Sequence, residues 1–294
     1  MSISVLQEEL REYVENVKRA ARFIEKEVEL KPKVAVILGS GLGDVSNSLE
    51  NAVSIPYDEI PGFPLSTAPG HKGELTFGNA LHHNVMLMNG RFHFYEGYSM
   101  KTVTFPIRIM QELGVEVLLI TNASGGLNPD FEVGRVMLIK DIINFMGDNP
   151  LIGQNVDEWG PRFPDMSEPI DKDLLDKALI SAKELGIGVY EGVYVGVAGP
   201  NFETPAELRM LRRFGADSVG MSTVPEVIVA RHAGIRVLGL SAISDRAVPD
   251  DLKPLTAEEV LEMAKRAESD ISKLILKTLE KIQGETISPL WWVR

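Results

Sequence analysis

No cysteine occurs anywhere in the 294 residues. That excludes disulfides, thiolate nucleophiles and cysteine-bound metals together. Histidine is scarce as well: the five, at positions 71, 82, 83, 93 and 232, lack zinc-type spacing, and the adjacent His82-His83 reads as part of a turn. No metal site is expected. Uninterrupted apolar runs never approach the roughly 18 residues that a membrane span needs, and the charged, amphipathic start of the chain has no apolar core of signal-peptide type. A cytoplasmic protein is therefore expected. Basic residues are outnumbered, 30 against 42 acidic, for a formal net charge of −12. Such a field repels nucleic acid and anionic membranes, so neither is an expected partner. A small anionic substrate would need a local cationic pocket. Long like-charge blocks, internal repeats, low-complexity segments and linkers are also lacking.

What is present is a hydrophobic fraction of 44%, ample for a sizeable core. Val14, Val17, Ala21 and Ile24 recur at helical spacing, so residues 1–30 are expected to form an amphipathic helix ending before Lys31-Pro32. Val34 to Leu38 is a continuous apolar run suited to a strand buried on both faces, and similar runs return at 117–120 and 237–240. Residues 190–197 are rich in strand formers. Helix starts are marked by Thr204-Pro205-Ala206-Glu207, Thr223-Val224-Pro225-Glu226 and Thr256-Ala257-Glu258-Glu259, each with the capping-box pattern. This alternation predicts an α/β fold in a single domain, 1–294, with a central twisted, largely parallel or mixed sheet flanked by helices. The tail, 284–294, carries Trp291 and Trp292, expected to dock on the body or on a neighbouring subunit.

Several segments could carry chemistry. In Gly39-Ser40-Gly41-Leu42-Gly43, directly after the first strand, glycines let backbone amides converge on an anion and Ser40 adds a hydroxyl. Asp44 stands where a dinucleotide fingerprint needs glycine, and no Gly-Lys-Ser/Thr follows. Alone, the loop also fits a plain strand-to-helix turn. Arg91 and His93 alternate, so on an extended segment they point the same way, a guanidinium and an imidazole suited to phosphate; a solvated strand edge is the other reading. His71 lies in a glycine-rich loop. Glu203 sits just before the Thr204 cap, after a strand, where α/β sheets commonly place function; it also suits a helix dipole. Ser222 precedes another helix N-terminus.

Together these segments resemble the trimeric purine nucleoside phosphorylases. The likeness runs from about residue 30 to about residue 280. It rests on Ile37 to Gly43, Pro69-Gly70-His71, Gly90 to Tyr98, Thr121 to Asn128, Gly199 to Thr204 and Gly220 to Glu226, all in family order. The resemblance implies that Ser40, His71, Arg91, His93, Ser222 and the amide near Ser124 hold phosphate. It implies that Tyr95 and Met221 line the ribose, Phe202 stacks on the purine and Glu203 binds its N1 and N2 edge. Trp159 takes the place of an aromatic residue lent by a neighbouring subunit, so a homotrimer is expected, with pairing into a dimer of trimers left open. Inorganic phosphate is a co-substrate, and no other cofactor is implied. The expected reaction belongs to purine salvage: a purine ribo- or deoxyribonucleoside and phosphate give free purine and the sugar 1-phosphate.

Two positions depart from the family pattern. Where inosine and guanosine enzymes read Thr-Asn at the base edge, this chain reads Ser244-Asp245. Asn both donates and accepts, whereas an ionised Asp only accepts, which repels a 6-oxo group and suits a 6-amino group. A protonated Asp245 in a dry pocket could instead donate to N7 as a general acid. His93, Glu203 and Asp245 are the expected catalytic set, and adenosine is expected beside or instead of inosine and guanosine. An Asp held merely by Arg246 or a backbone amide is the plainer reading. At the 5′ end, Ala257 replaces a histidine and leaves room for an apolar group, so 5′-methylthioadenosine is an alternative substrate. A silent nucleoside-binding protein is the rival outside enzymes, and a water-using nucleosidase a further one.

Overall fold

Five consecutive apolar side chains can all be buried only if both faces of their strand are covered. In β1 (Val34–Leu38) all five are. Ala35 and Ile37 enter one core, while Val34, Val36 and Leu38 enter another on the opposite face. β5 (Val117–Gly126) divides likewise, with Leu118 and Ile120 on one side and Val117 and Leu119 on the other. The computed structural model describes residues 3–39, 44–67 and 72–282. Its elements run α1 (Ile3–Glu27), β1, β2 (Glu50–Pro56), β3 (Glu74–Ala80), β4 (His83–Asn89), α2 (Met100–Val103), α3 (Phe105–Glu112), β5, β6 (Val136–Phe145), α4 (Lys172–Leu185), β7 (Val189–Val197), α5 (Pro205–Arg213), β8 (Ser218–Gly220), α6 (Val224–His232), β9 (Arg236–Arg246) and α7 (Ala257–Ile282).

The strands form one nine-stranded mixed sheet, ordered β2-β3-β4-β1-β5-β8-β7-β6-β9. An additional pairing of β9 with β5 closes the last strands into a ring. Helices cover both faces, as the apolar runs predict. α1 lays Val17, Ala20, Ala21 and Ile24 into the first core, and α7 lays Ala264, Ala267, Ile271, Leu274 and Ile275 into the second. The β3–β4 hairpin turns on Leu81 and His82, both with positive φ, in agreement with the expected turn. No helix among the described residues is long and apolar enough to cross a membrane. The tail with Trp291 and Trp292 lies outside the described residues.

One histidine makes the packing of α6 against α3 sensitive to pH. His232 Nδ1 is 3.0 Å from Arg108 Nη2 and its Nε2 is 3.2 Å from Asn155 Oδ1. A guanidinium only donates, so Nδ1 accepts and Nε2 carries the proton: the ring is neutral. Burial, reinforced by the Arg108 charge, pushes its pKa from 6.5 down to about 4. The unfolded chain therefore takes up a proton that the folded chain refuses. Stability should be highest above pH 6.5 and fall as pH drops towards 4, by on the order of 2 kcal/mol once solvent screening is allowed for. Denaturant midpoints across this range will check it, and His232→Gln should flatten the slope.

Candidate active site

Parallel strands end together, and their carboxyl ends are where an open α/β sheet leaves a crevice. β4, β1, β5 and β9 run parallel through the pairings of β1 with β4 and β5 and of β5 with β9. Just beyond or at their carboxyl ends lie Arg91 and His93, Gly39, Asn122 to Gly125, and Ser244 with Asp245. Segments after β7 and β8 add Phe202, Glu203, Met221 and Ser222. All of these line one cavity of about 360 Å³, with Tyr95 and Ala257. That volume suits a small ligand. A groove of about 500 Å³ elsewhere is lined by Asp141, Asn144, Asn149 and Arg162 beside Ile142, Leu151, Ile152, Phe163 and Met166, and holds none of the site residues expected from the sequence.

Gly39 shows why the first loop begins with glycine. A Cβ there would lie 2.8 Å from the Thr121 carbonyl oxygen, while its own N–H donates to Thr121 Oγ1 at 2.9 Å. β1 and β5 thus meet too closely for a side chain. Ser40 and the rest of the loop to Gly43, and His71, lie outside the described residues, so their expected phosphate contacts remain proposals.

Arg91 is 2% exposed. It donates to the Thr121 carbonyl and, at 3.2 Å, to Thr223 Oγ1. Its Nη1 is 3.5 Å from Glu226 Oε1. Burial lowers the Arg91 pKa and Glu226 opposes the shift. Neither oxygen of Glu226 has a hydrogen-bond partner of good geometry among the described residues, so the carboxylate answers Arg91 chiefly by charge. His93 is fixed by Glu96, whose Oε1 accepts from its backbone N–H at 2.7 Å and meets Nδ1 at 3.0 Å. Burial works against ionisation of Glu96, but hydrogen bonds from His93 and Thr67 hold its pKa at about 2. An ionised carboxylate only accepts, which places the His93 proton on Nδ1. Tyr95 stacks on the His93 ring, centroids 4.7 Å apart.

Thr223 joins these groups. It has the capping-box pattern in sequence, yet it caps nothing: its side chain makes no cap hydrogen bond and its φ is 70°. For a β-branched residue this backbone is strained, and strain of this kind concentrates at functional sites. The reason lies in its partners. Oγ1 accepts from Asn122 Nδ2 at 2.8 Å and from Arg91, and it meets Ser222 Oγ at 3.2 Å. With both lone pairs engaged, its one proton points at Ser222 Oγ. The Ser222 proton is thereby left to face the cavity, as an anion site needs. Ser124 is different. Its hydroxyl meets Ser241 Oγ at 2.6 Å, and Ser241 donates to Asn122 Oδ1 at 2.6 Å. The Ser124 proton therefore serves that chain, and the expectation there rests on a main-chain amide.

At the other end stand two partly buried carboxylates. Burial raises the pKa of Glu203, its own amide opposes this, and the Asp245 charge raises it further. Burial raises that of Asp245 against a hydrogen bond from Ser244. Arg246, one of the two partners expected in the plainer reading of Asp245, turns to Asp251 at 3.2 Å instead. Glu203 precedes a true capping box, Thr204 and Glu207 bonding each other's amides at 2.7 and 3.3 Å. Phe202 is half exposed at the cavity wall. Ala257, Val260 and Leu261 make a wall with no polar side chain.

Trp159 lies away from this cavity in the single chain. Expected to close a neighbour's site, it is 4% exposed within the single chain. Its indole N–H donates to Glu112 at 2.7 Å and Arg108 lies 4.9 Å over its ring. Sequence reading missed Glu96, Asn122, Thr223 and Glu226 as parts of the site. Glu96 carried a local signal, three residues beyond His93 at capping-box spacing, and Thr223 and Glu226 share that spacing.

Comparison with known proteins gives a consistent answer. Residues 33–280 match the model of the phosphorylase superfamily. Purine nucleoside phosphorylase 1 of Bacillus subtilis is 52% identical over 261 residues, covering 89% of this chain and 96% of that one. The Schistosoma mansoni purine nucleoside phosphorylase solved in complex with adenosine has a TM-score of 0.88 and 43% identity, over 92% of this chain and 99% of that chain. A schistosoma enzyme solved with hypoxanthine has a TM-score of 0.87 and 42% identity, over 92% and 98%.

Proposed function

The chain belongs to the phosphorylase superfamily, among its purine nucleoside phosphorylases, and from that premise we propose that it splits purine ribo- and deoxyribonucleosides with phosphate into free base and sugar 1-phosphate. The observation that carries this reading is the meeting of Arg91, His93 and Ser222 with Phe202, Glu203 and Asp245 around one cavity. Breaking the N-glycosidic bond develops positive charge on the ribose and negative charge on the purine. Phosphate held by Arg91, His93 and the Ser222 hydroxyl stabilises the first and attacks C1′. Tyr95 and Met221 take the ribose, Phe202 the purine face, and Glu203 the N1 edge. Asp245 meets N7 and the 6-substituent, so adenosine is accepted beside 6-oxopurine nucleosides. The reaction needs no cofactor besides phosphate.

Incubation with inosine, guanosine, adenosine or 5′-methylthioadenosine, with and without phosphate, is the test. Base should appear only with phosphate; release that ignores phosphate would mean a nucleosidase, and no release a binding protein. The methylthio substrate is favoured by one observation, the apolar wall of Ala257, Val260 and Leu261.

The working assembly is proposed to be a cytoplasmic homotrimer. The exposed apolar groove supports a subunit contact, since Phe163 is 85% and Ile152 64% exposed on it. Mass in solution will decide it, and a monomer with undiminished activity would overturn it.

A further inference from the structure

A hydroxyl has one proton, yet Ser244 has two partners that both look like acceptors. Its Oγ is 3.2 Å from the Ser124 carbonyl oxygen and 2.8 Å from Asp245 Oδ1. Ser244 is 1% exposed, so no bulk water settles the account. It cannot donate to both. The carbonyl has no proton to give, so whenever Ser244 donates to Ser124, its contact with Asp245 must be one in which Asp245 donates.

The backbone builds this arrangement. β5 and β9 slip register between Ser124 and Gly125, Ser124 pairing with Ile243 and Gly125 with Asp245, which leaves Ser244 as the extra residue of a bulge. Bulges re-aim side chains beside active sites. Gly125 completes it: a Cβ there would stand 2.9 Å from Asp245 Oδ2. The carboxyl is held from both sides.

We propose that Ser244 is a positioning residue whose hydroxyl switches between two acceptors during the reaction. At rest Asp245 Oδ1–H donates to Ser244 Oγ, and Ser244 donates to the Ser124 carbonyl. As the C1′–N9 bond breaks, its electron pair passes to the purine, and the Asp245 proton goes to N7. Ser244 keeps its own proton and turns it onto Oδ1, stabilising the carboxylate left behind. This rests on the phosphorolysis reading. It adds that Ser244 sets when Asp245 carries a proton, a consequence in line with the raised pKa that burial gives Asp245.

The test compares wild type with Ser244→Ala and Ser244→Thr. Removing the hydroxyl takes a charge-assisted donor from the carboxylate and only a weaker neutral acceptor from the acid, so Asp245 should hold its proton to higher pH. The alkaline limb of kcat/KM for inosine should move up by about one pH unit in Ser244→Ala. Its kcat should drop about tenfold. Ser244→Thr should restore both. Infrared spectra of the nucleoside-free protein supply a readout independent of turnover. The carboxylic C=O band that Asp245→Asn removes should persist about one pH unit higher in Ser244→Ala. A limb and a band unmoved by Ser244→Ala, or moved equally by Ser244→Thr, would overturn the switch. If wild type releases no base at all, the phosphorolysis reading fails, and the infrared band alone decides whether Ser244 governs the Asp245 proton.

Discussion

Replacing Arg91 with alanine is expected to reduce kcat/KM for phosphate by about 1000-fold and to destabilise the fold by about 3–5 kcal/mol. The two losses have different causes. The first removes the buried guanidinium from the wall of the cavity, where few solvent dipoles can replace it. The second arises from Glu226, left 2% exposed with neither oxygen hydrogen-bonded among the described residues. An ion pair in such a place contributes little net stability, but breaking it strands a charge. Combining Arg91→Ala with Glu226→Gln should therefore recover most of the stability and none of the activity. Denaturant unfolding and phosphate saturation curves on the single and double variants separate the two effects. A double variant that regains turnover would mean that Arg91 serves the fold rather than phosphate, and an unchanged phosphate KM in the single variant would say the same.

The pair also tempers what charge alone predicts. A chain with net charge −12 needs local cationic groups to draw in an anion. The buried guanidinium is answered by Glu226 3.5 Å away, so a long-range positive field is not the device. Directed donors are: the Ser222 proton freed by Thr223, and an imidazole held in one tautomer by Glu96. Hydrogen-bond direction takes over where net charge is unfavourable.

Sequence reading reached the strands because burial on both faces leaves a visible apolar run, as in β1 and in the first half of β5. It reached Arg91, His93 and Glu203 as candidates because chemistry-bearing types stand out beside glycine turns, and Asp245 through the family resemblance. Its larger omissions are contacts that leave no local trace. The closure of β9 on β5 is a tertiary pairing, and so is the meeting of Arg91 with Glu226. Thr223 misled because its capping-box pattern is real, while three polar groups pull its oxygen elsewhere and turn its backbone to a φ of 70°. Position in a motif likewise does not say which way the Trp159 indole faces; in the single chain it turns to the acceptor at Glu112 and the cation at Arg108.

Asp245→Asn should raise activity on inosine relative to adenosine by about 10- to 100-fold. Two partly buried carboxylates face this part of the cavity, and the Asp245 charge makes ionisation of Glu203 less favourable in a site where burial has already raised both pKa values. With a 6-oxopurine, an ionised Glu203 accepts from N1–H, and Asp245 serves O6 and N7 only while protonated. As pH rises through the raised pKa of Asp245, its charge comes to oppose O6 and its proton is lost to N7. Activity on inosine should therefore fall on the alkaline side. Adenosine presents a 6-amino donor that an ionised Asp245 accepts, which offsets part of the same loss, so the adenosine-to-inosine ratio should climb with pH. An Asn at this position accepts from N7–H or donates to O6 at any pH and cannot ionise. The variant's ratio should thus be flat across the range where wild type changes. Initial rates for the two nucleosides at saturating phosphate, taken in half-unit steps of pH, measure it directly. A ratio that neither differs between the proteins nor moves with pH would place base selection on Glu203 alone and reduce Asp245 to a structural carboxyl.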